Sequence, residues 1–411
     1  MQLNAPQLDR EVLDKLPPGP LGIAVSGGSD STALVHLLND WGGRPLAAVT
    51  VDHDLRPGSA AEAIAVATMC RSLRIPHTTL TWQGWNGRGN LQDAARTARR
   101  QLITTWAKRH HLGAVALGHT ADDQAETFLM RLSRGSGLEG LSSMESETHA
   151  DGLSWVRPLL PIRREALRDY LKERGINWVD DPSNDNPAFG RVRMRNALKT
   201  LQNEGIDVPR IVATTRRLQS AKEVLFTATR DLADVAATMH PAGDMTIDIP
   251  RLLGARRAVQ LRLLSEALRH ISAAYYAPRA HQSEAILDAL DGETFEDQAL
   301  IGCLVRRSGQ TLTLRREPAR VAGPAPTTSL WDDRWRITGP DMPNAQVAAL
   351  GEPGLSHYPA WRETGLARET LLTTPAIFEG ETLIAAPFVE ESPSWHAEFA
   401  PVSAFFTMRQ T

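Results

Sequence analysis

The chain has 411 residues, 42% of them hydrophobic and 23% charged, with a formal net charge of −3; this is the composition of an ordinary globular protein, and the length predicts two or three domains. Only two cysteines occur, Cys70 and Cys303, far apart in sequence, which supports neither a disulfide framework nor a cysteine-held metal or Fe-S cluster and fits a reducing, cytoplasmic setting. No charged lead and apolar core open the chain, and no stretch approaches the roughly twenty apolar residues of a membrane span, so neither secretion nor a membrane partner is expected.

The first informative element is a strand over Leu21–Val25, short, apolar and partly β-branched, as suits a strand buried on both faces. It ends in Ser26-Gly27-Gly28-Ser29-Asp30-Ser31, after which Thr32, Ala33, Leu34, Leu37 and Leu38 recur at helical spacing. Such a loop caps a helix whose first N–H groups have no internal partners, and those donors, with the positive end of the helix dipole, favour an anion such as phosphate. Gly27 and Gly28 let backbone approach a ligand, while Ser26, Ser29 and Ser31 add hydroxyl donors. Asp30 is the odd member. A carboxylate beside phosphates is repulsive unless a cation lies between them, so Asp30 implies Mg²⁺. The loop lacks the Lys of a Walker A sequence and is not the ordinary P-loop. An N-capped turn without a ligand is the plain alternative.

Strand-like runs "LGIAVS", "PLAAVTVD", "PHTTLTW", "AVALGH" and "WVRPLL" then alternate with helical segments around 31–41, 60–74, 91–111 and 121–134. That alternation predicts an α/β fold with a doubly wound parallel sheet, whose ligands sit at the carboxyl ends of the strands. Residues 164–174 and 191–237 read as helical. From about 240 a second region holds helix-like "RRAVQLRLLSEALRHI" and "HQSEAILDAL", then "CLVRRSGQTLTLRRE", a hairpin turning at Ser308-Gly309. Residues 317–328 read as a Pro/Ala-rich linker, and "WDDRWRI" and "ETLIAAPFV" place a small β-rich domain after it. The expected domains are a catalytic one over 1–217, a helical/α+β substrate-binding one over 218–320 and a small C-terminal one over 321–411.

Charge is unevenly spread. Basic residues exceed acidic ones by five over 157–217 and again by five over 251–279, whereas eleven acidic residues face five basic ones beyond Val321. A basic middle implies a bound polyanion, with chance clustering on a solvated surface as the alternative.

Within "LGHTADDQAETFLMRLSRGSGLEGL", residues 117–141, His119, Asp123 and Glu126 lie at i, i+4 and i+7, one face if the segment is helical, with Asp122 alongside. Two carboxylates and a His on one face repel unless a cation offsets them, which points to Mg²⁺, an amine, or both. A solvated polar helix face is the alternative.

"SGGSDS" resembles the pyrophosphate-binding loop of the N-type ATP pyrophosphatases, an adenine nucleotide alpha hydrolase-like fold. Together with "VDHDLRPGS", "GHTADDQAETFLMRLSRGSGLEGLSSM", "RPLLPIRREAL" and "DDPSNDNPAFGRVRMRN" it resembles the tRNA(Ile)-lysidine synthetase family, densely over about 20–200 and more weakly beyond. Thr120 stands where members often carry a second His. The resemblance implies that ATP adenylates C2 of the wobble cytidine in an isoleucine tRNA with a CAU anticodon, releasing pyrophosphate, and that free L-lysine then displaces AMP to give lysidine. It implies that residues 26–31 hold the pyrophosphate with Asp30 on Mg²⁺, that Asp123 and Glu126 receive the lysine amine, and that His119 orients the base or adenylate. Arg96 resembles a family arginine near the cytidine. Arg134 beside "RGSG" and the triplet Arg191, Arg193 and Arg195 would contact tRNA, the triplet lying either on a flexible basic loop ordered by RNA or on the helix that "MRNALKTL" suggests, with Asp181, Pro182, Ser183 and Asn184 as a loop that positions it.

A sulfur-inserting tRNA enzyme of the same superfamily is the nearest alternative, but it needs cysteines for sulfur handling, and no C-x-x-C occurs. A non-catalytic binding module would have little use for Asp30, His119, Asp123 and Glu126 together.

Overall fold

The computed structural model describes residues 6–52, 58–82, 91–180, 190–274, 276–292, 294–390, 392 and 394–400, with side chains described from 94 onward in the helix that opens at 91. The quoted segments 53–57 and 181–189, including Asp181 to Asn184, lie outside these. Two compact units divide the chain, residues 1–222 and 223–411.

The first unit runs α1 (Arg10–Asp14), β1 (Leu21–Ala24), α2 (Ser29–Trp41), β2 (Leu46–Asp52), α3 (Ser59–Ser72), β3 (His77–Thr81), α4 (Leu91–Arg109), β4 (Ala114–Leu117), α5 (Ala121–Leu132), α6 (Leu138–Leu141), β5 (Glu147–Ala150), β6 (Leu153–Val156), α7 (Arg164–Glu173), α8 (Gly190–Leu201) and α9 (Val208–Ala236), the last reaching into the second unit. Its strands form one sheet in the order β3-β2-β1-β4-β6-β5, all pairs parallel except β5 with β6. This is the doubly wound sheet that the strand and helix alternation predicts. The order reverses at β1, which has β2 on one side and β4 on the other, and a crevice at such a reversal is where α/β sheets take ligands.

Both faces are covered, which explains the unbroken apolar runs of the inner strands. On one face Leu34 and Leu38 of α2, Val66 and Cys70 of α3, and Leu167 and Leu171 of α7 pack on Leu21 and Ile23. On the other, Ile103, Trp106 and Ala107 of α4 meet Val115 and Trp155. Gly22 is required there, because a Cβ would lie 3.0 Å from Val115 and 3.1 Å from Trp106.

Three expectations need correcting. The strand expected over "WVRPLL" covers Leu153–Val156; Pro158 has no N–H to continue a ladder. Strand β5 escaped prediction because Glu147–Ala150 is polar and not fully buried. The helix expected over 191–237 is interrupted around Gly205, whose φ of +78° ends the short 3-10 turn Gln202–Glu204. Of the two geometries open for Arg191, Arg193 and Arg195, the helix is the one found, α8.

In the second unit the antiparallel sheet β7-β8-β11-β10-β9 contains β7 (Ala237–Met239), β8 (Met245–Asp248), β9 (Gln298–Leu300), β10 (Cys303–Ser308) and β11 (Thr311–Arg316). Helices α10 (Ile249–Gly254), α11 (Arg257–Ser272) and α12 (Ala280–Asp291) accompany it, and Leu263, Leu264 and Leu268 of α11 bury Val305 and Leu314. The hairpin pairs Ser308 with Thr311, so its turn is Gly309-Gln310, one residue later than expected, with Gly309 at φ +59°. A β-rich portion follows, where Arg316 and Arg334 both pair with the buried Asp332, at 2.9 and 2.8 Å. Among the described residues no helix is long and apolar enough to cross a membrane.

Candidate active site

The loop after β1 is ordered by its own hydroxyls. Ser31 Oγ accepts from the Ser26 N–H and donates to the Gly28 carbonyl, each at 3.1 Å, and Thr32 Oγ1 donates to the Gly27 carbonyl at 3.3 Å. Gly27 needs its glycine, with φ at +84°. Gly28 is the N-cap of α2 and offers no side chain, so no side-chain cap covers the N–H groups of the first turn and they can meet an anion. On the next strand, Gly118 lies flat against this turn: a Cβ there would be 3.1 Å from Ser31 Cα and N.

The step from β4 into α5 is built by reciprocal capping. Thr120 donates its N–H and its hydroxyl to Asp123 Oδ2, both at 2.9 Å, while Asp123 N–H returns to Thr120 Oγ1 at 3.4 Å. The shared helical face expected for His119, Asp123 and Glu126 is therefore corrected: His119 precedes the N-cap and stands outside the helix, and only Asp123 and Glu126 lie on it. Asp122 is occupied elsewhere. It accepts from the Arg164 N–H at 2.7 Å and from the Arg163 guanidinium at 3.1 Å, and so ties the start of α7 to the start of α5.

Arg164, the first residue of α7, is the member that sequence reasoning missed. Its Nε donates to Asp30 Oδ2 at 2.8 Å, one terminal nitrogen to Asp123 Oδ1 at 3.0 Å, and the other meets Glu126 Oε1 at 3.5 Å. The only sequence signal was its place inside "RPLLPIRREAL". One turn on, Arg168 reaches Ser29 Oγ at 3.4 Å and Asp180 at 3.0 Å. Helix α8 adds Arg195, which donates to Glu126 at 2.9 Å, and Arg191, 3.7 Å from Asp123. The cations that offset these carboxylates are thus supplied by the protein itself.

The three carboxyls titrate differently. Burial lifts Asp30 above the usual carboxylate range despite Arg164. Burial also lifts Glu126, helped by the charge of Asp123, and Arg195 and Arg164 offset this only in part. Burial pushes Asp123 the same way, but Arg164, His119 and the Thr120 N–H outweigh it and hold Asp123 low. Glu126 is 1% exposed, and among the described residues its Oε2 has no hydrogen-bond partner. His119 is pushed down to about 3, chiefly by burial, so it is a neutral imidazole at physiological pH, and its Nδ1 is also without a partner among the described residues.

Near His119 lies a group of arginines. Burial lowers Arg99, Arg131 and Arg157, and the charge of Arg96 lowers each of them further, taking Arg157 to about 10. Arg96 itself is exposed on α4. Arg134 is exposed just past the far end of α5, whose last residue, Leu132, lies about 14 Å along the axis from Asp123 at 1.5 Å per residue. Arg193 is exposed on α8. The structure thus gathers Asp30, His119, Asp123, Glu126, Arg191 and Arg195, and leaves Arg134 apart.

Both thiols are buried, Cys70 pushed up to about 11 and Cys303 to about 12, so neither is a thiolate at neutral pH. That disfavours the sulfur-handling alternative.

Residues 4–201 match the model of the PP-loop domain family. The chain is 42% identical over 390 residues to a tRNA(Ile)-lysidine synthase of Ruegeria pomeroyi, covering 93% of this chain and 91% of that one. It is 34% identical over 329 residues to the protein of that name from the Wolbachia of Brugia malayi, covering 77% and 76%. It is 38% identical over 345 residues to the one from a Bradyrhizobium, covering 79% and 96%. Matched over residues 4–201 by the PP-loop family model and 42% identical to a relative over 91% of that relative's length, the chain belongs to the tRNA(Ile)-lysidine synthase family.

Proposed function

We propose that this enzyme forms lysidine in isoleucine tRNA with a CAU anticodon, spending ATP to activate C2 of the wobble cytidine as an adenylate and ligating free L-lysine there, with release of AMP and pyrophosphate. The observation that carries the reading is a single guanidinium, Arg164, touching Asp30 of the nucleotide loop on one side and Asp123 and Glu126 on the other. Phosphate chemistry and amine chemistry are thereby brought side by side.

Residues 26–31 and the first N–H groups of α2 bind and orient the leaving pyrophosphate. The donors at Asp30 fit Mg²⁺: one carboxylate with the Ser29 hydroxyl on it, all oxygen, at the start of α2 beside the place for phosphate oxygens. Asp30 would hold the ion, which when bound supplies charge neutralisation on the pyrophosphate. Asp123, kept ionised, draws the lysine ammonium. Glu126, with its raised pKa and unpartnered Oε2, takes the proton that must leave before the amine is a nucleophile. Neutral His119 orients the base through hydrogen bonds. Arg96, Arg99, Arg131 and Arg157 hold RNA phosphate near it, with Arg134 and Arg193 on exposed positions of the same unit and Arg191 and Arg195 on α8. This work takes place where tRNA is, in the cytoplasm.

The test is AMP release from ATP in the presence of an unmodified isoleucine tRNA transcript and lysine. Release that needs both supports the reading, and release with sulfide in place of lysine, or none at all, rejects it.

A further inference from the structure

Arg164 is placed against ordinary electrostatics. A cation at the first position of a helix meets the positive end of the dipole, and three carboxylates share it although one would suffice to neutralise it. Each of its three nitrogens faces a different one: Asp30, Asp123 and Glu126. The guanidinium also occupies the ground that the incoming ammonium needs, since Asp123 and Glu126 are the acceptors of both. Its neighbour Arg168, on the same face of α7, already reaches the nucleotide loop at Ser29, so the face points toward the phosphates.

We infer that Arg164 is a positioning residue that enforces binding order: it blocks the amine site until nucleotide phosphates draw it toward the loop, uncovering Asp123 and Glu126 for lysine. The inference rests on the reaction proposed above. Without nucleotide, lysine must displace a guanidinium held by three charge-assisted contacts. With ATP in the loop, the phosphates offer that guanidinium a bidentate partner at the Asp30 end of its reach, and the amine site loses its occupant. Coupling of this kind is reciprocal, so lysine tightens ATP by the same factor.

Lysine affinity would be measured by calorimetry on the full chain, alone and saturated with α,β-methylene ATP and Mg²⁺, for wild type, Arg164→Gln and Arg164→Lys. Wild type is expected to bind lysine about tenfold more tightly with the analogue. Arg164→Gln is expected to bind it alike in both states, near the tighter value. Arg164→Lys, which can face only one carboxylate at a time, is expected to fall between them, and it decides the question if thermal melting shows the Gln variant unfolded. A wild type indifferent to nucleotide, or variants that keep the full dependence, overturns the inference. Transfer of labelled lysine to the tRNA transcript by wild type tests the reaction separately: transfer without nucleotide-dependent lysine binding rejects binding order alone, and absence of transfer rejects the reaction.

Discussion

Gly118 and Ser31 stand so close that a Cβ at 118 would meet the Ser31 backbone at 3.1 Å. The neighbour is the first turn of α2, so relief would have to come from shifting the nucleotide loop rather than from turning a side chain. Gly118→Ala is expected to cost about 1–3 kcal/mol of stability and to raise the KM for ATP about tenfold, leaving the KM for lysine nearly unchanged. Steady-state kinetics with each substrate varied checks this, and equal effects on both would contradict it.

Glu126 is buried beside Asp123, with Arg195 and Arg164 on Oε1 and, among the described residues, nothing on Oε2. Glu126→Gln keeps the shape and an acceptor for Arg195, so the melting temperature should move little. Losing one charge-assisted contact to an ammonium is worth about 1.5–3 kcal/mol, which predicts a lysine KM raised by roughly ten- to a hundredfold with the ATP KM retained.

His119 is neutral down to about pH 3 in the folded chain, below the ordinary imidazole value. Its folded pKa is depressed, so its contribution to stability is complete above the unfolded value of about 6.5 and is lost as pH falls below that. Melting of wild type and His119→Gln at pH 7.5 and pH 5 should show wild type losing on the order of 1–2 kcal/mol more than the variant on acidification. The acid limb of turnover should lie at the same pH in both, because His119 does not titrate there.

Arg96 depresses three arginines around it and is exposed, so its removal relieves repulsion within the protein while taking one cation from the RNA. Arg96→Ala should leave the melting temperature unchanged or slightly higher. A plot of log affinity for tRNA against log salt should become shallower by about 0.7–0.9.

The nucleotide loop, the parallel strands and the site carboxylates were legible in the sequence because each rests on local pattern: an apolar run, a glycine pair, a spacing of three. Arg164 was not, because its bond to Asp30 joins residues 134 positions apart through the packing of α7 on α2, and nothing near Arg164 announces a carboxylate. His119 was placed on the helix by spacing alone, whereas Thr120 supplies a better N-cap and starts the helix after it. The pairing of Arg191 and Arg195 with Asp123 and Glu126 follows from α8 being helical, which brings i and i+4 to one face; with loop and helix both open in the sequence, that pairing was not legible there.

Asp123 divides its two oxygens between tasks: Oδ2 is bound by Thr120, and Oδ1 is turned to Arg164. The bonds that begin α5 are therefore also the bonds that aim the Asp123 carboxylate at Arg164. Helix ends fray before a fold melts, and when this one frays the carboxylate swings free. Heating should silence the enzyme some degrees below its unfolding temperature, a gap set by the hold of Thr120 on Asp123.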